Sequence, residues 1–123
     1  MNNFRVLAVD DEFEVLSAIK MRLEANNYEV ILAVDGLEAL YKARNNKVDL
    51  IILDLMLPKM DGYKVCRMLK FDKKYKHIPI IMFTARDKES DLKLGAEVGA
   101  NAYLTKTLGS EVLLSKIEEL IKI

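Results

Sequence analysis

The sequence of 123 residues has little that would indicate secretion, membrane insertion or nucleic-acid binding. Its only cysteine, Cys66, cannot form an internal disulfide, which agrees with a reducing compartment. Lysine plus arginine and aspartate plus glutamate both total 19, so no net charge attracts nucleic acid or an anionic membrane. No apolar stretch is long enough to cross a bilayer, and Arg5 with the acids at 10–12 interrupts any apolar secretion signal. We expect a cytoplasmic protein without direct contacts to nucleic acid or membrane.

Glycine-rich phosphate-binding loops, dinucleotide-binding fingerprints, internal repeats and low-complexity tracts are also absent from the sequence. The composition that is present, with 51% hydrophobic and 31% charged residues, is typical of a folded domain. A chain of this length can bury one substantial core. We therefore expect a single domain over residues 1–123.

Strand-like apolar runs alternate with helical patterns along the chain. The runs lie at residues 6–9, 29–34, 48–53, 78–83 and 102–105. Apolar residues recur at helical spacing over 12–26, 62–69 and 89–98. Two further helices are expected, one that begins at Asp35-Gly36 and a last one for which Ser110 is the expected N-cap. This alternation predicts an α/β fold with a parallel sheet. The run at 48–53 is apolar on both faces, which indicates a central strand covered by helices on both sides.

Polar residues whose side chains could take part in chemistry follow these runs at their carboxyl ends. Asp10 and Asp11 follow the first run, and Asp54 follows the third. Thr84 comes directly after the fourth run, and Lys106 after the fifth. Because open α/β sheets bind ligands outside the carboxyl ends of their strands, we expect three carboxylates, a hydroxyl and an ammonium to meet in one site.

Three clustered carboxylates require a cation, because they repel one another and raise each other's pKa. Oxygen ligands favour Mg²⁺, which usually takes only one or two protein carboxylates. A carboxylate left free beside Mg²⁺ can act as a nucleophile toward a phosphoryl group, with the metal and Lys106 neutralising its oxygens. The Thr84 hydroxyl and the backbone N–H of the small Ala85 would add donors to those oxygens.

At these residues the chain resembles the receiver domain of response regulators in two-component signal transduction. The matching residues are Asp10-Asp11, Asp54-Leu55-Met56-Leu57-Pro58 with Asp61-Gly62, Thr84-Ala85, Tyr103 and Lys106. Several separated motifs in the expected order, covering essentially the whole chain, are far more specific than any one of them. The resemblance implies a flavodoxin-like, doubly wound, five-stranded parallel sheet in the order 2-1-3-4-5, with helices on both faces.

The resemblance also implies a role for each residue of the site. Asp54 would accept a phosphoryl group from a histidine kinase or a histidine phosphotransfer protein, and Lys106 would pair with that group. Mg²⁺ would be held by Asp11, by Asp54 and by the backbone carbonyl of Met56. Asp10 would contribute mainly through a bound water molecule. The domain would therefore be a phosphoacceptor and no enzyme, beyond catalysing its own phosphorylation and dephosphorylation.

The implied output is a change of partner affinity. Thr84 would move toward the phosphoryl group, which the N–H of Ala85 also contacts, and Tyr103 would turn into the vacated space. This would switch the face formed by the fourth helix, the fifth strand and the fifth helix. The expected partners are a downstream effector protein or domain and, on phosphorylation, a second copy of the domain.

The first helix is the expected kinase-docking surface. Val15 and Ala18 lie on the stripe beside the site, and exposed small apolar residues suit a transient contact between helices. The apolar residues expected to face the core instead are Leu16, Ile19 and Leu23.

One position departs from the family pattern. Thr107 follows Lys106, whereas the family lysine is normally followed by a proline after a cis bond. A cis bond before a non-proline residue costs about 3–4 kcal/mol, so we expect a trans bond here. The departure is the one support for an alternative, a pseudo-receiver that docks partners without being phosphorylated. A Mg²⁺-dependent phosphatase is a third alternative, but Met56 stands where a haloacid-dehalogenase-like enzyme would carry its acid/base.

Structural roles are also compatible with individual residues. Asp10 and Asp11 would suit a helix N-terminus, and Asp54 would suit a strand end. Tyr103 could be a half-buried packing residue. Arg86, two residues beyond Thr84, could instead bring its charge to the phosphoryl group. We interpret the lysine-rich segment at 64–76 and the adjoining histidine as a solvated face and loop.

Overall fold

Five strands and five helices alternate along the chain. The computed structural model describes residues 3–121. The strands are Arg5–Val9 (β1), Glu29–Ala33 (β2), Leu50–Leu53 (β3), Ile80–Thr84 (β4) and Ala102–Thr105 (β5). The helices are Phe13–Glu24 (α1), Gly36–Asn45 (α2), Gly62–Lys70 (α3), Glu89–Glu97 (α4) and Gly109–Ile121 (α5), and a short 3-10 helix, Lys106–Leu108, precedes α5. Within these residues, every helix is too short or too polar to cross a membrane.

The strands form one parallel sheet in the order β2-β1-β3-β4-β5. This confirms the order expected from the sequence. Val9 at the end of β1 pairs with Leu53 at the end of β3, so these two central strands finish level. The next residues, Asp10 and Asp54, therefore meet at the same edge of the sheet.

Alternate residues of the central strands pack into two separate cores. Leu7 and Val9 of β1 face the core that α2 and α3 cover, whereas Val6 and Ala8 face the core that α1 and α5 cover. The same alternation in β3 explains why its run is apolar throughout. Cys66 is a packing residue of the first core, where burial raises the pKa of its thiol to about 11.

Two strands begin later than their apolar runs predict. Val48 and Ile78 are buried, but β3 begins at Leu50 and β4 at Ile80. Pro79 has no N–H to donate to a strand ladder, which accounts for the start of β4 after it. An apolar pattern reports burial, and at these positions burial extends beyond the hydrogen-bonded ladder.

The predicted N-cap of the last helix is wrong. The helix begins at Gly109, so Ser110 lies inside its first turn. The Ser110 hydroxyl instead accepts a hydrogen bond from Nε of Arg22 at 3.2 Å, which ties α5 to α1. The 3-10 turn at Lys106–Leu108 leads directly into α5 and removes the need for a separate side-chain cap at this position.

Candidate functional site

Four carboxylates converge at the carboxyl edge of the sheet. Asp10 and Asp54 follow the two central strands and are buried, whereas Asp11 and Glu12 are exposed. One oxygen from each of the four lies within 4.8 Å of the others. The structure thus brings together the three acids chosen from the sequence and adds Glu12, which sequence reasoning did not select although it adjoins the acidic pair.

Lys106 reaches this cluster from the start of the 3-10 helix. Its Nζ lies 2.7 Å from Oδ2 of Asp10, 3.2 Å from Oδ2 of Asp54 and 3.1 Å from Oε1 of Glu12. All peptide bonds between residues 3 and 121 are trans, so the bond to Thr107 has the expected configuration. The ammonium therefore lies among the acids without a proline after it.

Burial and charge act in opposite directions in this cluster. Burial raises the pKa of Asp10, although the hydrogen bond from Lys106 and that from the Glu12 amide lower it. Burial alone would lower the pKa of Lys106, but its hydrogen bond to Asp10 and the charge of Asp54 outweigh burial and raise it. Lys106 is thus held in its charged form, whereas burial outweighs the hydrogen bonds at Asp10 and leaves its pKa raised.

The donor set fits Mg²⁺. Four carboxylates carry four negative charges, and Lys106 supplies one positive charge, which leaves three uncompensated. All four are hard oxygen donors, and two of them are exposed at the edge of the sheet. Such an excess of negative charge favours a small divalent cation.

Three of the four acids line an open cavity of about 290 Å³, and Asp10 lies beneath them. Its lining comprises Asp11, Glu12, Asp54, Met56, Thr84, Ala85 and Lys106. The backbone N–H of Met56 faces Oδ1 of Asp54 at 3.4 Å. Thr84 ends β4 and is buried, and its hydroxyl oxygen accepts from the N–H of Arg86 at 3.4 Å. Every residue expected to contact Mg²⁺ or a phosphoryl group lies at or beside this cavity.

The start of α3 packs against the backbone of Asp54. The Gly62 N–H donates to the carbonyl of Leu55 at 2.9 Å, and a Cβ at position 62 would collide with the carbonyl oxygen of Asp54. Asp61 caps the same helix by accepting from the N–H of Lys64 at 3.0 Å. The Asp-Gly pair therefore holds the loop after Asp54 close to the helix.

Tyr103 and Arg86 lie outside the cavity. Tyr103 is half-buried on β5, and its hydroxyl donates to the carbonyl oxygen of Arg86 at 2.9 Å. The Arg86 guanidinium pairs with Asp91 of α4 at 3.0 Å, so its charge is not directed at Asp54. Sequence reasoning did not select Asp91, because an acid in the first turn of a helix is ordinary.

The predicted docking residues lie beside the site on α1. Ala18 is exposed, and Val15 is half-buried against the second core. Both line a groove between α1 and α5 that also includes Lys106. The residues that were expected to face the core, Leu16, Ile19 and Leu23, are buried there.

Known proteins are similar to this chain in fold and in sequence. The family described as response regulator receiver domain matches residues 6–118. The alkaline phosphatase synthesis transcriptional regulatory protein PhoP of Bacillus subtilis is 42% identical over 120 residues, which cover 98% of this chain and 49% of PhoP. Chemotaxis response regulator CheY4 of Vibrio cholerae superposes with a TM-score of 0.90 at 34% identity, over 97% of this chain and 99% of that one. The Francisella response regulator 1452 receiver domain superposes with a TM-score of 0.90 at 32% sequence identity, over 98% of both chains.

A doubly wound parallel sheet with a polar site at its carboxyl edge defines the flavodoxin-like class of α/β proteins. The chain belongs to the response regulator receiver domain family of two-component signalling. It spans about half the length of PhoP.

Proposed function

We propose that this domain is the phosphoacceptor of a two-component phosphorelay and that Asp54 is the acceptor residue. The observation that supports this most strongly is the position of the buried Asp54 carboxylate, 3.2 Å from Lys106 in a cavity shared with other acids. A carboxylate oxygen of Asp54 attacks phosphorus as the bond to the phosphohistidine nitrogen breaks, and the imidazole leaves with that electron pair. The donor is a histidine kinase or a histidine phosphotransfer protein.

Asp10, Asp11, Asp54 and the backbone carbonyl of Met56 would hold Mg²⁺. When bound, the ion supplies positive charge that compensates the phosphoryl oxygens. The chain's own contribution is the Lys106 ammonium, which already lies against Asp54 and remains charged. In this proposal the Thr84 hydroxyl and the N–H of Ala85 donate to the remaining phosphoryl oxygens.

The output of the proposed switch is partner binding at the face formed by α4, β5 and α5. Thr84 ends β4 beside the cavity, and Tyr103 lies on the neighbouring strand β5. A shift of Thr84 toward the phosphoryl group is therefore transmitted to Tyr103 through the loop after β4. We propose an effector protein or domain, or a second phosphorylated copy, as the partner.

The wider assignments are proposals as well. We propose residues 1–123 as a single receiver domain acting in the cytoplasm, the compartment typical of the family. The name of PhoP describes a transcriptional regulator about twice as long. For the present residues we propose no direct contact with nucleic acid, and no catalysis beyond their own phosphorylation and dephosphorylation.

We expect phosphoryl uptake to depend strictly on Mg²⁺. Incubation with acetyl phosphate and Mg²⁺ should add one phosphoryl group, because only a divalent cation compensates the excess negative charge around Asp54. Intact-protein mass spectrometry reads the adduct directly, and the same incubation with a chelator is the control. Equal uptake in the chelator would exclude the metal role. No uptake under either condition would favour the pseudo-receiver.

Changing Ala18 to glutamate should slow phosphotransfer from the histidine kinase by about tenfold or more, a penalty of roughly 1.4 kcal/mol. A charge on the exposed stripe beside Lys106 opposes the packing of a partner helix there. Labelling by acetyl phosphate needs no such contact and should keep its rate. The matched control is Ala96→Glu on α4, another exposed helical alanine, which should change neither rate. Loss of both reactions in Ala18→Glu would mean that the change damaged the site itself.

A further inference from the structure

Four polar side chains from four elements meet beside the acidic cavity. They are Tyr63 of α3, Arg86 of the loop after β4, Asp91 of α4 and Tyr103 of β5. Nε and a terminal nitrogen of Arg86 lie 3.3 and 3.0 Å from the two carboxylate oxygens of Asp91. This two-point contact joins the loop to the first turn of α4.

The ion pair between Arg86 and Asp91 is important because Asp91 is buried. Its side chain is only 6% exposed, and Arg86 is the one cation that pairs with it among residues 3–121. The Tyr63 hydroxyl donates to the Asp91 carbonyl at 3.0 Å and lies 3.4 Å from the carboxylate. A buried carboxylate that loses its cation is strongly disfavoured, so this cluster resists opening.

The same cluster fixes the surroundings of Tyr103. The backbone carbonyl of Arg86 accepts the hydrogen bond from the Tyr103 hydroxyl. Because the Arg86 guanidinium is fixed on Asp91, this acceptor is fixed as well. The Tyr103 ring packs beneath α4, where a Cβ at Gly95 would lie 3.0 Å from ring atom Cδ2. Burial raises the pKa of Tyr103, with further contributions from Tyr63 and Asp91, so its hydroxyl remains a donor at neutral pH. Tyr103 is thus held at its hydroxyl by Arg86 and at its ring by Gly95.

We propose that Arg86, Asp91 and Tyr63 form a latch that holds Tyr103 in this half-buried orientation before any phosphoryl group reaches Asp54. The latch sets the fraction of unphosphorylated molecules in which the α4–β5 face already has this conformation. It therefore also sets how much phosphorylation can still change that fraction. The holding of Tyr103 is independent of the chemistry at Asp54. Its effect on the phosphorylation response rests on the proposed function.

The test is ¹⁹F NMR of the whole chain with its 5 tyrosines replaced by 3-fluorotyrosine. A Tyr103→Phe variant assigns the resonance of that ring. In the resting protein, Arg86→Ala and Asp91→Asn should each increase the population of a second Tyr103 conformer by about tenfold or more. Lys88→Ala removes an exposed cation from the same loop and should match the wild type. A resting Arg86→Ala resonance that superimposes on the wild-type one would overturn the latch.

Tyr63→Phe keeps the ring and removes only the hydroxyl, so it applies the same test if a charge variant fails to fold. It should show the second conformer, and an unchanged Tyr103 resonance would again overturn the latch. Beryllofluoride, which mimics the phosphoryl group, should shift Tyr103 more in Arg86→Ala than in the wild type. An equal or smaller shift counts against the latch. If beryllofluoride changes no wild-type resonance, the proposed phosphoacceptor function is rejected. The comparison of resting Tyr103 resonances still tests the latch in that case.

Discussion

Replacing Lys106 by alanine is expected to lower the free energy of unfolding in the absence of Mg²⁺ by about 3 kcal/mol. The Lys106 side chain is only 17% exposed, and its ammonium is the one cation that pairs with the buried Asp10 and Asp54 among the described residues. Its removal leaves two buried carboxylates without a cationic partner. Because Mg²⁺ can supply the missing charge, it should stabilise the variant more than it stabilises the wild type.

Urea unfolding with and without Mg²⁺ measures both effects. The control is Lys116→Ala, whose lysine pairs with the exposed Glu119 on α5 and should contribute less than about 1 kcal/mol. A Lys106→Ala variant as stable as the control in a chelator would contradict the electrostatic description of the site.

The same Lys106→Ala variant should separate phosphorylation from its consequence. Phosphorylation of Asp54 should stay detectable, because Mg²⁺ and the carboxylate are still available. The response of backbone chemical shifts around Tyr103 to beryllofluoride should disappear, since in the proposed switch Lys106 draws the loops toward the phosphoryl oxygens. Shifts near Tyr103 that respond equally well without Lys106 would refute this coupling.

Asp10→Asn is expected to make the metal-free protein more stable while weakening its binding of Mg²⁺ by about 10- to 100-fold. Asp10 is buried beside the like charge of Asp54, and asparagine keeps its shape without the charge. Lys106 retains Asp54 and Glu12 as partners. In the proposed function, the site would therefore lose stability in exchange for cation binding.

The effect of pH on this variant has a definite sign. Burial raises the folded-state pKa of Asp10 above the usual value of 3.8, so the ionised group opposes folding above that folded-state pKa. This penalty disappears as the pH falls through the folded-state pKa, because the carboxyl becomes neutral. The melting temperature of Asp10→Asn in a chelator should exceed that of wild type at neutral pH, and the gap should shrink on acidification. Glu118→Gln, on an exposed acid, should show no gap. A variant that melts below wild type at neutral pH would contradict the account.

The sheet order and the meeting of the acids could be expected from the sequence for a physical reason. Parallel strands end at a common edge, so polar residues directly after the apolar runs must come together there. Asp10, Asp54, Thr84 and Lys106 follow this rule, and the family resemblance supplied the strand order. The roles proposed for these residues remain predictions, and only their positions are established.

The sequence could not indicate which acids are buried or which polar pairs form across elements. Asp91 looks like any first-turn acid, and only the packing of Tyr63 and Arg86 around it makes it a buried ion pair. Arg86 was considered a phosphoryl contact because of its distance from Thr84 along the chain. The guanidinium instead pairs with the buried carboxylate of Asp91. Ser110 shows the same limit, since the tertiary contact with Arg22 replaces the local cap.

The central claim is that Asp54 is the phosphoacceptor, and chemical mapping of the modified residue tests it most directly. The protein is incubated with acetyl phosphate and Mg²⁺ and then treated with borohydride, which reduces an aspartyl phosphate to homoserine. Tandem mass spectrometry of the peptides should find homoserine at position 54 in the wild type and at no acid in Asp54→Ala. Homoserine at Asp10 or Asp11 in the wild type, or undiminished modification of Asp54→Ala, would contradict the account.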